Sequence, residues 1–247
     1  MDRLLYVSMT GANQVMKGQA VTAHNIANIS TTGFKASLQE AVGQEIEGRG
    51  LRSRVNVVSD HSRVDFAPGT LQATGRDLDV APRGNAWMVV QGPDGDEALT
   101  RRGDLQVDAT GLVTTGAGHP VLGDGGPIAV PPNSKLTIGQ DGTISVVPLG
   151  QTAAVQAIVD RIRLVMPETE TLDRGTDGLF RPRDGEIPPA DAAATLISGH
   201  LETSNVNMAQ AMVEMIELSR QFELHVKMMR TADDNGARAA ELMRLGG

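Results

Sequence analysis

The 247-residue chain contains no cysteine. This removes disulfides, thiolate metal sites and thiol nucleophiles together, and leaves the redox compartment open. Aromatic residues are almost as scarce, with four Phe, one Trp and one Tyr making up 2% of the chain. A globular core for a chain of this length ordinarily draws on more large rings. The composition therefore predicts either an aliphatic core or a chain much of which is not globular, and it favours the second. Basic residues are outnumbered, 22 Lys and Arg against 30 Asp and Glu, for a net charge of −8. With no basic stripe interleaved with aromatics, such a chain repels a phosphate backbone, and nucleic-acid binding is not expected. No window approaches the roughly 18 consecutive apolar residues of a membrane span. The opening MDRLLYVSMTGANQ lacks a basic region followed by an unbroken apolar run, so neither membrane insertion nor an ordinary cleaved secretory signal is expected. Finally, both ends lack proline, the strongest helix breaker, because all twelve prolines fall between Pro68 and Pro189.

What the ends do contain is helical periodicity. Leu5, Met9, Ala12, Met16, Ala20, Ala23 and Ala27 recur at spacings of three and four, and Met208, Met212, Met215, Ser219, Phe222, Val226 and Met229 do the same near the far end. Asn205 and Asn207 are candidate N-caps for the second helix. Gly11, Gly18, Ser219 and Gly236 interrupt the stripes, and methionine specifies packing poorly, so neither helix is expected to stand alone. The two can pair with each other inside one chain or with neighbouring copies, and periodicity leaves both open.

Between the helices, short apolar runs alternate with turn signals. Trp87–Val90 precedes Gly92-Pro93-Asp94-Gly95, Leu105–Val107 precedes Asp108-Ala109-Thr110-Gly111, and Leu136–Ile138 precedes Gln140-Asp141-Gly142. Asp-Gly suits tight hairpins because glycine accepts positive φ, so the centre reads as antiparallel β structure. Residues 155–166 fit a helix through Val155, Ile158, Ile162 and Val165, or a strand through Arg161–Val165. The fold class is α+β. Its expected organisation is an N-terminal helix within 1–35, an extended connector over 36–80, a mainly antiparallel β domain over 81–190, a return connector over 191–207, and a C-terminal helix within 208–247.

Catalytic patterns are missing. His24, His61, His119, His200 and His225 are scattered, no pair has the i, i+4 spacing of a helical zinc site, and HExxH is absent. The glycine-rich run from Gly116 to Gly126 lacks the lysine and Ser/Thr of a phosphate loop and reads as hairpin turns. No nucleophile elbow or Ser/His/Asp arrangement is visible. The expectation is a protein without catalytic residues, cofactor or metal.

One stretch is specific. Ala23 to Lys35, AHNIANISTTGFK, is similar to the N-terminal signature of bacterial flagellar rod and hook proteins, ANNLANxxTxGFK, with His24 in place of asparagine and Ile26 in place of leucine. Gly199–Asn207, then Met212–Ile216, Arg220–Glu223 and Lys227, resembles the family's GxLExSNVD…EMxxMIxxxRxFE block, with Asn207 where aspartate is usual and Leu224-His225 where many members have Ala-Asn. Between them Gly69-Thr70-Leu71, Thr74-Gly75, Asp77–Ala81, Gly84, Thr100-Arg101 and Gly103 follow the family order.

The resemblance implies terminal helices, discontinuous in sequence, that form a coiled-coil-like axial domain beneath an outward β domain. Length and the opening Met-Asp favour the proximal-rod branch, with a distal-rod subunit or a non-flagellar β-domain binding module as alternatives. It also implies export through the flagellar type III apparatus without a cleaved signal, a periplasmic location in the basal body, and assembly with proximal and distal rod proteins into a helical hetero-polymer that transmits torque. The expected assembly residues are Leu5, Met9, Met16, Met212, Met215, Phe222, Val226 and Met229 as the packing stripe. Asn25 and Asn28, three apart on one face, are expected to fix register by hydrogen bonds across the tube wall or into the connector.

Overall fold

The computed structural model describes residues 2–45, 55–148, 150 and 156–245; Gly48 and Gly50 of the expected connector and Val155 of the ambiguous segment lie outside them. The chain divides into two compact units. Unit 1 gathers 1–29, 36–65 and 206–247; unit 2 gathers 30–35 and 66–205.

Unit 1 holds α1 (Asp2–Ala27), the antiparallel strands β1 (Ser37–Glu45) and β2 (Val55–Val64), and α2 (Met208–Leu245). α1 packs along α2 and against both strands. Gly11 lies against the His225 ring and Gly18 against Leu218. Seven residues forward on one helix match seven backward on the other, so the pair is antiparallel. The two glycines that weaken α1 as an isolated helix are the places where its backbone approaches α2 and β1 most closely. The inward face of α1 is made of small groups, Ser8, Ala12, Val15, Gly18 and Thr22, all buried. At the start of α2, Asn207 is the cap: its Oδ1 accepts the Gln210 amide at 3.2 Å and its carbonyl accepts the Ala211 amide. Asn205, the other candidate, binds Ala67 and Phe34 instead.

Within the extended connector expected over 36–80, Ser37–Glu45 and Val55–Val64 instead form the antiparallel strand pair β1–β2. SLQEAVGQE carries only weak apolar alternation, and its strand character comes from pairing with β2 and packing under α1.

The described residues of unit 2 form sixteen short strands, which the chain order introduces as β3 (Leu71–Ala73), β4 (Val80–Pro82), β5 (Trp87–Gln91), β6 (Glu97–Thr100), β7 (Leu105–Val107), β8 (Val113–Thr115), β9 (Leu122–Gly123) and β10 (Gly126–Pro127). They continue as β11 (Asn133–Ile138), β12 (Thr143–Pro148), β13 (Ala157–Arg161), β14 (Leu164–Val165), β15 (Leu172–Arg174), β16 (Phe180–Pro182), β17 (Leu196–Ser198) and β18 (His200–Glu202). Every strand pairing described is antiparallel. The largest sheet runs β14-β5-β6-β16-β15, and β11-β12-β13 forms a second. The β5–β6, β7–β8 and β11–β12 hairpins turn at Gly95, Gly111 and Gly142, each at positive φ, as the Asp-Gly and Thr-Gly signals require. The segment open between helix and strand is β13 and β14, because Ile162 and Leu164 are buried in the core while their neighbours pair with β12 and β5.

The core of unit 2 is aliphatic. Met88, Val90, Leu105, Ile128, Ile144 and Ile162 are typical members, each at most 1% exposed. The scarcity of rings thus reflects the kind of core more than its absence, contrary to the leaning of the composition. Three of the six aromatics meet in one cluster: Trp87 and Phe180 sit 4.9 Å apart, and Phe66 lies 6.1 and 5.8 Å from them. The expected return connector, 191–207, holds β17 and β18, which pair with β4 and β3. Unit 2 therefore closes only when its last residues join its first, and its limits extend beyond 81–190 on both sides.

Candidate assembly surface

The two helices of unit 1 spend little of their apolar surface on each other. On α1, Leu5, Met9 and Met16 are exposed, Met16 by 55%, and Tyr6 beside them is exposed by 63%. The sequence pattern identified these as a stripe. The structure puts them on the solvent side, while the small-residue face meets α2. On α2, Met212 is exposed, whereas Met215, Phe222, Val226 and Met229 are half-buried together with Leu218 and His225. The stripe read as one set therefore occupies two faces. A second exposed line, Val213, Ile216, Leu224 and Met228, was not singled out in the sequence. Its signal was present in the i, i+3, i+4 spacing, but charged Glu214, Glu217 and Arg220 between these positions hid it. Long exposed apolar lines on both helices are unusual for a chain that works alone.

The asparagines of the signature are used within the chain. Asn25 Nδ2 donates to the Ser37 carbonyl and its Oδ1 accepts the Ser37 amide, both at 2.8 Å. One side-chain amide thus imitates a strand neighbour and ties the last turn of α1 to the start of β1. Asn28 Nδ2 donates to the His24 carbonyl at 2.9 Å, which also accepts the Asn28 backbone amide, so the side chain reinforces the last turn of the helix. The helix stops at Ala27; Gly33, at φ 67°, comes later and lets the chain pass directly against the Arg101 backbone.

The rest of the signature enters unit 2. Lys35, 1% exposed, donates from Nζ to Glu202 Oε1 at 2.7 Å and to the Ala67 carbonyl at 2.9 Å. Glu202 Oε1 also accepts the Gly69 amide at 2.9 Å. Its Oε2 accepts from Arg101 Nε and Nη2 at 2.7 and 2.6 Å, the fork geometry that favours arginine over lysine at such a site. Arg101 then donates to the Pro82, Gly84 and Ala86 carbonyls and lies 5.6 Å above the Trp87 ring. Burial alone would raise the Glu202 carboxyl, but the charge of Arg101 and the bonds from Lys35 and Gly69 together hold it below the ordinary glutamate range. Two cations, one carboxylate and four carbonyls leave each charge well matched. Sequence reasoning quoted Lys35, Arg101 and Glu202 inside three separate motif blocks without joining them, since 167 residues separate the first from the last.

Nothing in this arrangement suggests chemistry. Among the described residues no group of His, Asp and Glu could hold a metal ion, and no helix is long and apolar enough to cross a membrane.

Comparison with known proteins agrees with the geometry. Residues 5–35 match the family described as flagella basal body rod protein, residues 81–146 the D1 domain of the flagellar hook protein FlgE/F/G, and residues 197–242 the C-terminal region of flagellar basal body rod FlgEFG proteins. The flagellar basal-body rod protein FlgF of Escherichia coli (strain K12) is 42% identical over 251 aligned positions, covering 99% of this chain and all of the relative. FlgF of Salmonella typhimurium is 41% identical over the same extent. A flagellar basal-body rod protein FlgG, from Buchnera aphidicola subsp. Schizaphis graminum, is 31% identical over 93% of this chain and 95% of its own length. The chain belongs to the flagellar basal-body rod protein family.

Proposed function

We propose that this chain builds the proximal part of the flagellar rod, polymerising through the exposed faces of α1 and α2. That it is a structural subunit of the basal-body rod and not an enzyme follows from its relatives. The manner of assembly is the proposal, and one observation carries it: Leu5, Met9, Met16 and Met212, with Val213, Ile216, Leu224 and Met228, remain in water after the helices have paired. In a neighbouring copy the same lines are available. A contact between different faces of successive copies does not close on itself, and it generates a helical filament. Met215, Phe222, Val226 and Met229 then have an internal role first, facing α1, with a coiled-coil-like layer completed by neighbours. Asn25, engaged with Ser37, sets the exit angle of the chain from α1, and Asn28 finishes that helix.

The subunit reaches the periplasm through the type III exporter without a cleaved signal, and meets other proximal-rod and distal-rod proteins there. The 42% and 41% identity to two FlgF relatives, against 31% to the FlgG relative, supports the proximal position. Complementation of a strain lacking this subunit, followed by detection of the protein in isolated basal bodies, tests the reading. Restored swimming with the chain in the proximal rod is the expected result. Restored swimming with the chain found only in the distal rod would favour the other position.

A further inference from the structure

The chain crosses between the two units four times, and the unit 2 ends of those crossings are Ser30, Lys35, Phe66 and Asn205. The segments that carry them form one hydrogen-bonded network that includes Lys35 and Glu202. Gly33, in the short segment that begins at Ser30, donates its amide to the Glu202 carbonyl at 2.8 Å. Lys35 binds Glu202 through its ammonium. Ala67, next to Phe66, accepts from both Lys35 Nζ and Asn205 Nδ2, at 2.9 and 3.1 Å. Asn205 also donates its amide to the Phe34 carbonyl, and Gly69 donates to Glu202 Oε1. Phe66 anchors its crossing in the Trp87–Phe180 cluster, over which Arg101 lies.

We propose that the buried Lys35–Glu202–Arg101 cluster is a latch that joins the four crossings into one cooperative joint, so that they hold or release together and do not fray one at a time. The argument rests on where the charges lie. A cluster that only stabilised the β core could sit anywhere in it; this one lies between the crossing points, and the described side-chain bonds of Lys35 and Glu202 run to the segments that carry them or to Arg101. Burial removes water as an alternative partner, so departure of the Ala67 or Gly69 segment takes a hydrogen-bond partner from Lys35 or Glu202, and the neutral bonds of Gly33 and Asn205 hold the same segments in place. That penalty couples one departure to the next. The joint is a property of the free chain and does not depend on how the helices assemble.

Hydrogen exchange on the full-length chain tests it, with Lys35→Met as the variant. This change removes one cation of similar length and leaves Arg101 and Glu202 as a balanced pair, so no charge is orphaned. The amides of Gly33, Gly69, Thr203 and Asn205 are expected to exchange together and about tenfold faster, with those of β5, β6, β11 and β12 unchanged. Asn205→Ala, which removes a tether bond without touching a charge, is expected to accelerate the same four amides and provides the reading should the methionine variant not fold. Acceleration confined to the amides beside the substituted residue, an unchanged pattern, or a uniform rise across unit 2 would each overturn the latch.

Discussion

Unit 2 and unit 1 use apolar surface in opposite ways. In unit 2 most aliphatic side chains are removed from water, with Ile158 and Leu71 the clearest exceptions, the turns carry glycine where φ is positive, and even two cations and a carboxylate are buried with partners for each. In unit 1 the helices meet through Ser8, Ala12, Val15, Gly18 and Thr22 on one side, and leave methionines, leucines and an isoleucine exposed on the others. Under the assembly proposed above, the half left open in this way is where a neighbouring copy adds.

The comparison breaks most visibly at Glu202. Replacing it with alanine leaves Lys35 and Arg101 buried without a counter-charge, at a cost of about 3–5 kcal/mol; urea unfolding followed by the single tryptophan, Trp87 in unit 2, is the readout. Next in size is Leu99→Ala in the closed core, expected to cost roughly 2–5 kcal/mol by the same measurement. The matching truncation in unit 1, Met212→Ala, should stay within about 0.5 kcal/mol, because the side chain is already in water. If the two truncations cost the same, the contrast between the units fails.

Acidity sharpens the comparison from another side. The folded-state carboxyl of Glu202 titrates below its ordinary value of 4.5, so ionisation adds stability that is fully present above that pH and is lost as the pH falls through the folded value. Asp177, held low by Arg181 and the Leu179 amide, acts in the same direction. Acid should therefore weaken unit 2 below about pH 4.5, with little effect from Glu202 between pH 5 and 7. In Glu202→Gln that portion of the acid sensitivity should disappear; an unaltered pH profile would show that Glu202 does not carry it. The smallest effect is expected at the bidentate but partly exposed Arg163–Glu97 pair on the surface, where Arg163→Ala should cost under about 1 kcal/mol in the same unfolding experiment.

Much of the fold was legible in the sequence for local reasons. Three-and-four spacing marked both helices, and Asp-Gly marked hairpins whose turns depend on a few residues. What stayed hidden depends on distant partners. β1 and β2 are strands because they pair with each other, and β17 and β18 because β4 and β3 wait for them more than a hundred residues earlier. The inward face of α1 was obscured because a hydrophobic pattern gives weight to Met and Leu, whereas close packing at Gly11 and Gly18 depends on the absence of a side chain. The pattern picked out Leu5, Met9, Met16 and Met212 for their bulk, and the fold leaves that bulk exposed. The ion cluster left no local trace beyond its place in three motif blocks.

The most direct test of the account is the single substitution Met16→Glu in the full-length chain. Because Met16 faces water, the purified variant should unfold at the wild-type urea concentration, within about 0.5 kcal/mol. Expressed in a strain lacking the wild-type subunit, it should be missing from isolated basal bodies and the cells should not swim. Normal incorporation and swimming with a glutamate at that position would contradict assembly through the exposed helix faces.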